Sequence, residues 1–297
     1  MKKIYITGIA GLLGSNIAIE LKEKYEISGV DIVDIEIPGI TYDVYDVSDY
    51  TLLESQIIKA NPDVLIHTVA IVDVEKCEEN HQLSEKINAQ LTRVLAEICN
   101  KNHIKMIYIS TDAVFDGKDR KLYSESDEIA PINEYAKSKY KGEIYTAQYS
   151  DNLILRTNIY GLNIQNKKSF GEWVICALKD GETINMFDDI YFSPILVNDL
   201  AAIIDQCIKE NVTGLYHACA TGQISKYEFG KKMKAIFGIR SGKIVKVSSE
   251  IMNFKAERPK NMGMSNLKIR QKLGIKIRTP EQSIQEFYRI YMEKYHC

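Results

Sequence analysis

The chain has 297 residues, 45% of them hydrophobic, and its 38 basic and 40 acidic side chains leave a net charge of −2. Near-neutrality without blocks of like charge gives no support to a nucleic-acid or membrane-surface partner, and no 18-residue apolar run marks a membrane span. The length allows a main domain with a smaller companion, and the apolar stretch after Lys2 and Lys3 is too brief for a secretory signal, so a cytoplasmic protein is expected.

In the first half, strand-like runs alternate with helical patterns. KKIYIT precedes a helix over 12–24; EISGVD and TYDVY precede one over 48–60; DVLIHTVA precedes one over 83–100; KMIYIS precedes one over 134–148; NLILRT follows. This alternation predicts an α/β fold of the Rossmann type, a doubly wound parallel sheet, and the nearly all-apolar strands suit a sheet buried on both faces. Beyond residue 160 the pattern loosens, with helices over 170–179, 226–237 and 280–294, a strand-like GLYHACA at 214–220, and irregular polar stretches at 163–168 and 248–261. The division expected is a dinucleotide-binding domain over 1–160, to which 190–222 returns, and a smaller, mainly helical, discontinuous substrate-binding part over 161–297.

The six cysteines, Cys77, Cys99, Cys176, Cys207, Cys219 and Cys297, are far apart, with no C-x-x-C pair. They read as reduced structural thiols, His67 reads as a strand residue, and no metal site is expected.

The opening strand breaks into G-I-A-G-L-L-G and then a helix. In that context the first glycine permits a tight turn, the second lets backbone approach a pyrophosphate, and the third lets helix pack closely on strand. The phosphates would sit at the helix N-terminus, where free N–H groups and the positive dipole end favour an anion. Asp31 ends the second strand 17 residues past Gly14 and can accept hydrogen bonds from the adenosine ribose; Asp46, with Val47 beside it, is placed to read adenine. The cofactor set is Gly8, Gly11, Leu12, Leu13, Gly14, Asp31, Asp46 and Val47, joined by Tyr135 and Lys139. A carboxylate at position 31 repels the extra phosphate of NADP, and no basic residue stands beside it, so NAD(H) is favoured over NADP(H).

Tyr135 and Lys139 lie i, i+4 on one helix face. An ammonium ~5 Å from the phenol at an effective dielectric of ~20 would favour phenolate by roughly 3 kcal/mol, lowering its pKa from ~10 by about two units. Thr111 follows the strand KMIYIS, so its hydroxyl is expected at the carboxyl edge of the sheet, within reach of a substrate carbonyl.

With TGIAGLLG, STDAVFDG, NEYAKSKYKGE, LRTNIYG, SPILVNDLA, GLYHACATGQISKYEFG and RPKNMGMSNLK in place, the chain resembles the extended short-chain dehydrogenase/reductases, and within them the dTDP-4-dehydrorhamnose reductase group, over nearly its whole length. The resemblance implies Thr111, Tyr135 and Lys139 as a catalytic trio, Lys139 also holding the nicotinamide ribose, and Ala70 lying along the cofactor. It implies NAD(P)H-dependent reduction of a 4-keto-6-deoxysugar carried on a nucleotide, in the synthesis of surface polysaccharide sugars. Departures fall where relatives contact the sugar: Ala113 replaces a tyrosine, R-T-N-I-Y replaces R-T-S-W-V-Y, and DDIYFSPI replaces D-Q-x-G-x-P-T. The substrate candidates are Val74, Ala113, Asn158, Phe170, Trp173 and Arg258, the last suited to a diphosphate. Phe170 and Trp173 read equally as helix core, and Arg258 equally as a solvated loop arginine. Two other functions stay open: a non-catalytic dinucleotide-binding subunit, as in the relative that regulates a methionine adenosyltransferase, and an epimerase or dehydratase of the same superfamily. A homodimer is left open as well.

Overall fold

The computed structural model describes residues 1–119, 121–165 and 167–295; Cys297 lies outside them. Six strands, β1 (Lys3–Thr7), β2 (Glu26–Asp31), β3 (Asp43–Val44), β4 (Val64–His67), β5 (Lys105–Thr111) and β6 (Leu153–Thr157), join the later strand Gly214–His217 in one parallel sheet. The spatial order is Gly214–His217, β6, β5, β4, β1, β2, β3. The order reverses at β1, which pairs with β2 on one side and β4 on the other. Thr7 is in register with both Val30 and His67, and Thr111 with Thr157, so the loops leaving β1, β4, β5 and β6 open along one carboxyl edge, where open α/β sheets place their ligands.

Both faces of the sheet are covered, as the apolar strands require. Successive side chains of β1 alternate between two cores. Ile4 and Ile6 pack under the helices Leu12–Leu21 and Val197–Lys209, while Tyr5 joins Leu65, Met106 and Tyr108 beneath Tyr50–Ala60 and Leu91–Lys101. The C-terminal region has its own aromatic core, in which Tyr160 meets Phe229 and Phe287 edge-on, with ring centroids 5.1 and 5.5 Å apart. There the helix Phe170–Lys179 starts with a capping box, Ser169 accepting from the Glu172 N–H and Glu172 accepting from the Ser169 N–H.

Some elements differ from expectation. The third strand is two residues long, because only Asp43 and Val44 find partners on β2. The helix expected over 83–100 begins at His81 and carries a π-helical turn at Glu85–Gln90 before Leu91–Lys101. The helix Val197–Lys209 and the paired strands Thr183–Phe187 and Lys243–Val247 were not anticipated. Among the described residues no helix is long and apolar enough to cross a membrane, and no cluster of His, Cys, Asp and Glu could hold a metal ion. His67 sits wholly inside, between the hydroxyls of Thr7 (2.8 Å) and Thr92 (3.1 Å).

Candidate active site

A cleft of about 1110 Å³ runs along the carboxyl edge of the sheet, from the glycine turn and Asp31 at one end to Phe170, Lys226 and Arg258 at the other. Gly8 adopts φ +78°, a left-handed conformation open to glycine, and a Cβ there would come within 2.7 Å of the Thr68 hydroxyl. A Cβ on Gly14 would fall 2.2 Å from the Gly8 carbonyl oxygen, so that glycine lets the helix approach the turn and does not itself line the cleft. Gly11 caps the helix in an extended conformation with no side-chain acceptor on the first-turn N–H groups. This is the arrangement that leaves donors free for an anion.

Asp31 is buried and already bonded on both oxygens: Ala10 N–H donates to Oδ2 (2.9 Å), and Ile32 and Val33 N–H donate to Oδ1 (2.8 and 3.1 Å). Each carboxylate oxygen carries two lone pairs, so Oδ2 can still accept from a ligand. Leu12, Leu13, Asp46, Val47 and Ala70 line the same end, Asp46 also accepting from Ser48 N–H (2.8 Å). Sequence reasoning missed Thr68, which donates to the carbonyls of Thr7 (2.8 Å) and Gly8 (3.1 Å), and Gln165, which donates to the Ala10 carbonyl (2.8 Å).

In the middle of the cleft stand Thr111, at the end of β5, and Tyr135 and Lys139, on the helix Glu134–Ala147. Gly142 lets that helix sit close on β5, where the Tyr108 hydroxyl donates to the Lys139 carbonyl (3.1 Å); a Cβ at 142 would lie 2.3 Å from that hydroxyl. Beneath them, Glu143 takes Arg156 through two bonds (2.9 and 2.7 Å) and the Ser110 hydroxyl through a third (2.6 Å), all buried. The K-x-x-G-E and R-T segments therefore meet in one paired charge that anchors helix to sheet. Asn88, in the π-helical turn, accepts from Ile71 N–H (2.8 Å) and donates to the Ile71 carbonyl (3.1 Å) and the Ser138 hydroxyl (3.0 Å), tying the cleft wall at Ile71 to the helix that carries Tyr135 and Lys139. π-Turns gather at functional sites, but nothing in EKINAQ announces one.

One electrostatic expectation is corrected. Lys139 Nζ donates to the Ile109 carbonyl (2.7 Å) and lies 4.2 Å from the Tyr108 ring centre, and burial lowers its pKa to about 7. The Tyr135 phenol is pushed up to about 12, chiefly by burial, with a hydrogen bond to Thr111 opposing and the Asp112 carboxylate adding. Desolvation thus dominates the phenol, while Lys139 directs one of its donors to a backbone carbonyl, and the phenol is held protonated.

At the far end, Val74, Ala113, Asn158, Phe170 and Arg258 line the cleft, but Trp173 does not: it is 40% exposed and stacks on the outer side of Phe170, centroids 6.0 Å apart. Of the two stacked rings only Phe170 lines the cleft. Arg258 is paired with Glu75 (2.7 Å), and Asn158 donates to the Asp112 carboxylate (2.7 Å). Lys226, also missed, lies in the first turn of the helix Lys226–Ile236, its Nζ 3.4 Å from the Phe192 ring centre and 4.4 Å from that of Phe170.

A parallel sheet with a glycine turn at its switch point, and a Y-x-x-x-K helix lying against a strand that ends in threonine, define an α/β protein of the short-chain dehydrogenase/reductase class. Within that class the chain belongs to the family described as RmlD substrate binding domain, whose model matches residues 1–293. It is similar to a probable low-salt glycan biosynthesis reductase of Haloferax volcanii, 28% identical over 94% of this chain and 95% of the relative. Among solved structures it resembles a dTDP-4-dehydrorhamnose reductase of Clostridium acetobutylicum, 28% identical over 98% of this chain and 99% of the other, with a TM-score of 0.87. A dTDP-4-dehydrorhamnose reductase of Bacillus anthracis, in complex with NADP, is 28% identical over 97% and 99%, with a TM-score of 0.85.

Proposed function

We propose that the protein reduces the 4-keto group of a 6-deoxysugar carried on a nucleotide, a step in making sugars for surface polysaccharides. The observation that carries this reading is the meeting of Thr111, Tyr135 and Lys139 in the cleft that the glycine turn opens. The free first-turn N–H groups after Gly11 and the remaining acceptor capacity of Asp31 suit a dinucleotide, and a nicotinamide dinucleotide when bound supplies the hydride. Tyr135 gives its proton to the carbonyl oxygen, and burial, which raises the phenol to about 12, keeps that proton in place before the transfer. The Thr111 hydroxyl, which donates to Asp112 in this structure, turns its proton to the same oxygen, while Lys139 holds the nicotinamide ribose. In this scheme residues 1–160 with 190–222 serve the cofactor, and the sugar nucleotide lies among Val74, Ala113, Asn158, Phe170 and Arg258.

With an acidic residue at position 31, NADH is preferred to NADPH. The dehydratase alternative is disfavoured because Asp112 is followed by Ala113, not by the glutamate those enzymes carry. Incubation with NADH and a panel of dTDP-, GDP-, UDP- and CDP-linked 4-keto-6-deoxysugars tests the proposal. Consumption of NADH with loss of the keto group is expected. Net conversion without consumption would replace the reading by an epimerase or dehydratase, and binding with neither would leave a regulatory subunit.

A further inference from the structure

The reductase reading leaves Lys226, a cation lining the cleft, without a task. Lys226 occupies the first turn of a helix, where the dipole disfavours positive charge, and it is wedged against the Phe170 and Phe192 rings. Among the described residues its Nζ has no hydrogen-bond acceptor and no carboxylate within ion-pair distance. Burial lowers its pKa to about 8, with the Asp112 carboxylate opposing that shift. An ammonium wedged against aromatic rings at the edge of a binding cleft, its donors unpaired, is costly unless a ligand accepts from it.

Asp112 is its natural counterpart. Its carboxylate is 2% exposed and accepts from Asn158 Nδ2 (2.7 Å) and from the Thr111 hydroxyl (3.3 Å), which leaves lone pairs on both oxygens. A bound carboxylate or phosphate would meet repulsion from Asp112, and a bound cation repulsion from Lys226. A hydroxyl satisfies both, because it accepts and donates at once. Since Asp112 directly follows Thr111, the hydroxyl held there neighbours the oxygen that Thr111 holds. In a 4-keto-6-deoxyhexose, of the two carbons flanking the carbonyl only C3 carries a hydroxyl.

Resting on the reductase reading, we propose that Lys226 and Asp112 together recognise the sugar's C3 hydroxyl, Lys226 Nζ donating to it and the Asp112 carboxylate accepting from it. A site built to bond a hydroxyl rejects the analogue that lacks it, because its own polar groups are then left unpaired.

The test compares kcat/KM for a nucleotide-linked 4-keto-6-deoxyhexose and its 3-deoxy analogue, in the wild type and in Lys226→Met. The wild type should prefer the hydroxylated sugar at least tenfold, and the variant should bring the ratio close to one while its dissociation constant for NADH stays unchanged. Lys226→Gln serves as the second variant should the methionine form fail to fold, with the ratio again expected to fall. A variant that keeps the wild-type ratio, or that loses both substrates equally, overturns the inference while leaving the reductase reading intact. A wild type that reduces neither compound nor any other 4-keto sugar overturns the reductase reading, and the inference with it.

Discussion

The two ends of the cleft are built on opposite terms. At the cofactor end, polar groups are satisfied within the chain: Asp31 by three backbone N–H groups, Thr68 by two carbonyls, Gln165 by the Ala10 carbonyl. At the sugar end they are held in reserve or on loan, with Lys226 facing aromatic rings and Arg258 paired to Glu75. On the proposed function, the first end is a fixed backbone shape that a dinucleotide finds ready. The second is a set of charges that a particular ligand completes. The three segments that the resemblance marks as departing from the reductase pattern, Ala113, Arg156–Tyr160 and Asp188–Ile195, each contribute a residue to the cleft lining.

The sharpest blow to this contrast falls where the ends meet. Tyr135→Phe keeps the ring and removes only the proton donor, so turnover should fall ~10²–10⁴-fold with cofactor affinity little changed. Single-turnover rates beside NADH titrations decide it, and a near-normal rate would take the phenol out of the chemistry.

Asp31 probes the fixed end. The wild type should favour NADH over NADPH by roughly five- to two-hundredfold in kcat/KM, corresponding to about 1–3 kcal/mol. Asp31→Arg should reverse the preference. Asp31→Ala should narrow it, and because the same carboxylate holds Ala10 N–H it should weaken both cofactors. The ratio of kcat/KM for the two cofactors in all three proteins is the measurement, and a ratio indifferent to both substitutions would place the discriminating contact elsewhere.

The effect of Lys139→Met on stability is the smallest of these and the least intuitive. Although turnover is lost, the protein should gain about 1–3 kcal/mol of stability, since a buried ammonium is exchanged for an apolar chain. The sign follows from a native pKa of about 7 against an ordinary 10.5. The native state binds this proton less tightly than the unfolded chain, so the burden is full below pH 7 and fades as the pH rises towards 10.5. Melting temperatures of wild type and variant should therefore converge across that window.

Sequence pattern made the sheet legible because buried parallel strands are nearly continuous apolar runs, and the glycine turn because its spacing answers to a backbone requirement. Tyr135, Lys139 and Thr111 were legible as neighbours by helix periodicity and strand position. Their electrostatics were not: a Coulomb argument from i, i+4 spacing omits the desolvation that raises Tyr135, and it could not see that Ile109 takes the Lys139 donor. Lys226 escaped because a lone lysine in ISKYEFG looks solvated, and only the fold brings Phe170 and Phe192 around it. Trp173 misled in the other direction, one turn from a residue that does face the cleft.

Asn88 gives the cleft a ruler. Its amide bonds Ile71 on the cleft wall and Ser138 on the helix that carries Tyr135, so the separation of wall and phenol is set by the length of one side chain and not by the compressible fit of many. Packing can relax by tenths of an ångström in any direction, whereas a strut bonded at both ends yields only when a bond is given up. On the reductase reading, the spacing between hydride source and proton donor is held by hydrogen bonds through that one side chain.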